Sequence, residues 1–140
     1  MTRLRPSLRR RVQRRGQGLC EYCRSCMEYT GHEFTVDHVI PASRGGTDDF
    51  DNLCWCCFWC NNYKQAAIEA VDPRTGRVMP LFNPRTDVWH AHFRWSPTCT
   101  RVIGRTAVGR ATITALRLNR LSLVRSRRIW ERHGLHPPES

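Results

Sequence analysis

Lysine is nearly missing from this 140-residue sequence: Lys64 stands alone beside 22 arginines. No apolar run approaches the ~20 residues that a membrane-spanning helix needs. No short apolar segment follows the N-terminus, so neither a membrane span nor a secretory signal is expected, and a cytoplasmic location is. The composition excludes collagen, coiled coil and an acidic disordered tail. No internal repeat is found. Acidic residues are absent from residues 1–15 and scarce after residue 72.

What is present is basic charge and cysteine. The chain holds 23 basic and 12 acidic residues, a formal charge of +11, and eight cysteines. Such a length suits one modest core. Residues 1–15 carry +7, residues 16–72 carry −6, and residues 73–140 carry +10. Genomic base composition could account for Arg over Lys, but not for charge that avoids the middle. A small basic chain with clustered cysteines points to metal and nucleic acid.

Residues 1–19 read as a basic arm running into a short helix, with Ser7 as cap and Leu8 and Val12 on its packing face. This Arg-rich start also has the look of a mitochondrial transit peptide. Cys20 follows at once, however, and removing the arm would cut into the fold. Residues 34–40 read as a strand, and Pro41 to Asp51 as a loop with Gly45-Gly46 and three Asp. Asn62 to Ala70 reads as a helix that Pro73 and Gly76 end. The alternation from Val88 to Trp95 predicts a strand with an aromatic face, on which His90 and His92 share the other side. Arg101 to Arg105 is a second strand candidate. Thr106 is expected to cap a helix to about Leu118, and Ser122 another that ends near Gly134. The boundaries expected are an arm at 1–19, a core at 20–70 and an extension at 71–140, packed as one compact α+β domain.

Cys20-x-x-Cys23 and Cys57-x-x-Cys60 are two pairs with 33 residues between them. Two intervening residues let one tight turn aim both sulfurs at a single ion, and four thiolates suit a closed tetrahedral Zn²⁺ site. A disulfide framework is the alternative reading of eight cysteines, although nothing here suggests secretion. Cys26, Cys54, Cys56 and Cys99 remain over, as small buried residues or free thiols; Cys26 and Cys56 lie near enough to compete as ligands. Four thiolates with Zn²⁺ would take the middle segment to about −8.

Between the pairs lie Asp37-His38-Val39-Ile40-Pro41, Ser43-Arg44-Gly45-Gly46 and Asp51-Asn52-Leu53, and Cys60 runs straight into Asn61-x-x-Lys64. With these motifs the chain resembles the HNH endonuclease family over about residues 18–68. It looks like the zinc-stapled subgroup, in the H-N-N variant with Asn61 at the third position. The resemblance implies a ββα-metal (His-Me) finger clamped by Cys20, Cys23, Cys57 and Cys60 on a structural Zn²⁺. It implies His38 as general base, since a neutral imidazole can take a proton from water. It implies Asp37 and Asn61 as ligands of a catalytic divalent ion, Mg²⁺ or another, which bridges the scissile phosphate. Asn52 would hold the loop that keeps His38 in register, and Lys64 would meet a phosphate. Gln65 stands where a Gly is more usual, which lets the helix run on. Asp48, Asp49 and Asp51 read as turn formers on a solvated loop, with a metal role as the lesser alternative.

The flanks would supply grip on DNA, the expected partner, because each neutralised phosphate adds to affinity and to its salt dependence. Candidates for phosphate contact are Arg10, Arg14, Arg44, Arg127 and Arg128, with Lys64 from the core. Trp89-x-x-His92-Phe93-x-Trp95 and Gly109-Arg110-Ala111-Thr112 resemble an extension of some stand-alone HNH proteins. The expected function is a metal-dependent DNA endonuclease. The competing reading is a non-catalytic zinc module that binds nucleic acid through its arginines, which would not require Asp37, His38, Asn52 and Asn61 together.

Overall fold

A computed structural model describes residues 4–139; Arg3 of the basic arm lies outside them. The chain divides into two compact units where the sequence reading has one. The first comprises Met1–Ile68 with Asn83–Thr86, the second Glu69–Phe82 with Asp87–Ser140. The seam at 68/69 falls two residues before the boundary read from the sequence, and the N-terminal helix belongs to the first unit. Among the described residues no helix is long and apolar enough to cross a membrane.

The first unit starts with α1, Pro6–Arg15. Pro6 occupies the first turn, where its missing N–H costs nothing, and the cap position is Arg5 rather than Ser7. Val12 is fully buried. Strand β1, Phe34–His38, pairs antiparallel with β2, Leu53–Cys57, and Asp37 lies opposite Cys54. Helix α2, Phe58–Lys64, follows β2 without a break. All five residues of β2 are buried. A strand covered on both faces shows no alternation of polar and apolar residues, which is why the sequence does not announce it.

Helix α2 begins four residues before the expected start at Asn62, because Cys57 acts as its cap: the thiol accepts from the Cys60 N–H at 3.4 Å. It does not run on to Ala70. Gln65 turns to φ +50°, ψ −131° and ends it. A side chain is strained there and a glycine is not. Replacing Gln65 with Gly is therefore expected to stabilise the first unit by about 1 kcal/mol, read as a raised midpoint in urea; an unchanged or lowered midpoint would refute the strain.

The second unit holds the hairpin of β3, Glu69–Val71, and β4, Val78–Pro80, then α3, Trp89–His92, and the pair β5, Phe93–Trp95, with β6, Val102–Gly104. It ends with α4, Ala107–Leu116, and α5, Leu121–Arg132. Helix α4 packs on β6 and on the β3–β4 hairpin. Thr106 caps it, accepting from the Gly109 N–H at 3.0 Å, whereas Arg120, not Ser122, precedes α5. The strand expected from Val88 survives only as β5. Its first part curls into α3, where His92 Nδ1 lies 2.6 Å from Thr106 Oγ1 and the His92 carbonyl accepts from Arg105 N–H. Buried Asp72 accepts from Arg110 Nε and Nη2, each at 3.0 Å, which holds its carboxyl well below the usual range.

Candidate metal centre and catalytic cleft

The two Cys pairs meet because Glu21 docks onto β2. Its N–H donates to the Trp55 carbonyl at 2.9 Å, and its carboxylate accepts from Trp55 N–H at 2.7 Å and pairs with Arg85. Glu21 thus acts as an edge partner for β2, and the turn beside it carries Cys20 and Cys23 to the start of α2. There the sulfurs of Cys20, Cys23, Cys57 and Cys60 all lie within 4.8 Å of one another, and all four residues are buried. Cys23 Sγ and Cys57 Sγ stand 3.8 Å apart. A tetrahedral ion with bonds of ~2.3 Å would hold its sulfurs about 3.8 Å from each other; a disulfide would need ~2.05 Å. The first cysteine of each pair accepts an N–H from the second, at 3.5 Å from Cys23 and 3.4 Å from Cys60.

Desolvation pushes the Cys20 and Cys60 thiols well up, and hydrogen bonding with Cys20 does so for Cys57. A cation among them reverses that, because it lets all four ionise. The quartet is therefore placed to hold one metal ion, and its chemistry is compatible with zinc. Cys56 stays outside: its thiol donates to the Cys57 carbonyl at 3.4 Å, and burial pushes it up to about 12. Cys54 lies buried, and its thiol points at Asp37 Oδ2 from 3.7 Å.

One open cleft of about 580 Å³ collects Asp37, His38, Pro41, Gly46, Asp48 and Asn61. Neighbouring residues of a strand face opposite ways. Asp37 and His38 share the cleft because β1 ends at His38. The loop that follows is tied back by Asn52. Its Oδ1 accepts from Ile40 N–H at 2.9 Å, and its Nδ2 donates to the carbonyls of Ile40 at 2.9 Å and Thr47 at 2.7 Å. Gly46 approaches so closely that a Cβ there would sit 1.6 Å from the Ile40 oxygen. Helix α1 braces the same loop. Arg15 donates to the carbonyls of Phe50 (2.8 Å) and Leu53, and both Arg15 and Arg11 lie over the Phe50 ring, at 3.6 and 4.3 Å. Two arginines of the basic arm are thus spent on holding the fold.

Asp37 is 4% exposed. Its Oδ2 accepts from Tyr22 Oη at 2.7 Å and lies 3.1 Å from Lys64 Nζ, while Oδ1 accepts from Lys64 at 3.3 Å. Burial raises its pKa, and Lys64 and Tyr22 pull against that. A carboxylate has about four lone-pair sites, so the Asp37 carboxylate keeps acceptor capacity beyond Tyr22 and Lys64. Asp37 and Asn61 together offer two hard oxygen donors, a set that fits a divalent ion retaining several waters.

Two sequence assignments are corrected here. Lys64 is 2% exposed, paired with Asp37 and donating to the His38 carbonyl at 3.0 Å, so its ammonium does not face a phosphate. Arg127 is fully buried in the second unit, donating to the Thr100 carbonyl and Asn119 Oδ1 at 3.2 and 3.3 Å, over the Trp95 ring. Arg10 lines a second cleft of about 970 Å³ together with Arg9, His38 and Asn61. Arg14 lines a separate hollow with Gln17 and Cys26. Arg44 is exposed on the loop, and Arg128 on α5.

Sequence reasoning missed Tyr22, Arg9, Arg15 and the contact of Asp48 with His38. Their partners lie 10 to 38 residues away in the hydrogen bonds of Asp48 and Arg15, and no local pattern signals such pairings. Cutting the Lys64 side chain back to Met leaves Asp37 buried without its cation. A loss of about 3–5 kcal/mol is expected, measured by urea unfolding. The double variant Lys64→Met with Asp37→Asn should recover part of it, and a single variant as stable as wild type would refute the pairing.

Residues 20–75 match the family described as HNH endonuclease. No curated protein and no solved structure matches the chain.

Proposed function

We propose, from the match of residues 20–75 to the HNH endonuclease family, that this chain is a metal-dependent DNA endonuclease that hydrolyses phosphodiester bonds. The observation that carries the proposal is the convergence of Asp37, His38 and Asn61 on one open cleft. In this reading β1, β2 and α2 are the ββα-metal finger, and the Cys quartet staples its ends on a structural Zn²⁺. His38 takes a proton from water, the water oxygen bonds to phosphorus, and the bond from phosphorus to the 3′ oxygen breaks. That oxygen leaves with the electron pair and is protonated by solvent, giving 5′-phosphate and 3′-hydroxyl ends. Asp37 and Asn61 would hold the divalent ion, Mg²⁺ or another, which when bound neutralises charge on the phosphate and on the leaving oxygen. Asn52 keeps the loop, and so His38, in place.

The wider cleft supports DNA as the substrate. It brings Arg9 and Arg10 of α1 onto the same groove as His38 and Asn61, so a strand entering the site passes basic charge on its way. Arg14, Arg44 and Arg128 are exposed and can add phosphate contacts. The competing reading is a non-catalytic zinc module that only binds nucleic acid. Supercoiled plasmid separates the two: nicking with Mg²⁺, none without a divalent ion, and recovery when Mg²⁺ is added back. Tight binding with no cleavage under any divalent ion would favour the binder.

A further inference from the structure

We infer that Asp48 is a positioning residue for His38, holding its imidazole in one tautomer and one orientation in the cleft. The inference rests on the reading of His38 as general base. His38 Nε2 and Asp48 Oδ1 are 2.8 Å apart. An ionised carboxylate can only accept, so Nε2 carries the hydrogen and Nδ1 is left with the lone pair. Nδ1 is then the nitrogen that takes the proton from water. The imidazolium that forms keeps its Nε2–H on the Asp48 carboxylate, opposite charges in contact.

The loop is built to deliver this contact. Asp48 follows Thr47, whose carbonyl is tied to Asn52 Nδ2 at 2.7 Å, and Gly46, whose backbone lies against the Ile40 carbonyl. Asp49 and Asp51 are exposed on the same loop, while Asp48 lines the cleft with His38 and Asn61. The side chains of His38 and Asp48 are 31% and 53% exposed. A pair so open to water contributes little to stability, so its removal is expected to show in rate rather than in folding.

The test measures single-turnover plasmid nicking at saturating DNA. Asp48→Ala is expected to slow it about 10- to 100-fold, the scale of losing a partner that orients a histidine. Melting, DNA affinity and the Mg²⁺ concentration for half-maximal rate stay as in wild type. Asp48→Glu recovers part of the rate. In a His38→Ala background the same Asp48→Ala change alters the residual rate by less than about two-fold, because the two side chains act as one unit. An unchanged rate in Asp48→Ala would overturn the inference, as would an equal loss in both backgrounds. A shifted Mg²⁺ midpoint would instead make Asp48 a metal ligand and overturn it too. A wild type that never nicks overturns the parent reading along with this one; a wild type that nicks beside an indifferent Asp48 variant overturns this one alone.

Discussion

Replacing Cys60 with serine is expected to abolish metal binding at the quartet and unfold the first unit. The four sulfurs lie within 4.8 Å of one another and are all buried. With no cation there, desolvation holds Cys20 and Cys60 as thiols, and the two turns that carry the pairs lose their common anchor. Structural Zn²⁺ binding contributes about 10–16 kcal/mol in small modules, which equals or exceeds the roughly 5–15 kcal/mol by which whole domains are stable. A serine hydroxyl does not ionise to replace the thiolate. The measurement is metal content by mass spectrometry together with thermal melting. Retention of one zinc per chain with a normal melt would refute the staple.

His38→Ala is expected to leave a folded protein that binds DNA and cuts it only at a small residual rate. The side chain is 31% exposed, and its hydrogen-bond partner, Asp48, is an exposed loop residue, so folding does not depend on it. Loss of a general base lowers rates by about 10²- to 10⁴-fold. DNA affinity is expected to persist because the basic groove of Arg9 and Arg10 is untouched. Plasmid nicking read beside gel-shift affinity checks both halves. Equal cutting by mutant and wild type would remove His38 from the mechanism, and a parallel loss of binding would make it a contact residue.

How far the site was legible depends on how local each signal is. The two C-x-x-C turns are legible because two residues between ligands is a local geometric rule. The helix-capping role of Cys57 is less so, since it needs α2 to start inside the second pair. Strand β2 escaped notice because burial of Leu53 to Cys57 on both faces erases the period-two pattern. The aromatic alternation ahead of β5 misled for a related reason. His92 is held by Thr106, and its carbonyl by Arg105, so contacts 13 and 14 residues distant override a local strand pattern.

The chain's charge shows the same division. Its sequence alone determined that basic residues flank an acidic, cysteine-bearing middle, and that an Asp-His and an Asn lie between and beside two C-x-x-C turns. Only the tertiary structure decided which charges face outward. Lys64 and Arg127, each with a partner 27 residues away, are folded into the interior. Arg15 braces a loop, Arg9 and Arg10 open onto the cleft, and Asp48 turns to His38. Residue type and spacing set which ion or proton a group can handle. Whether that group is spent on the fold or left for chemistry follows from which distant atoms the packed chain places within about 3 Å of it.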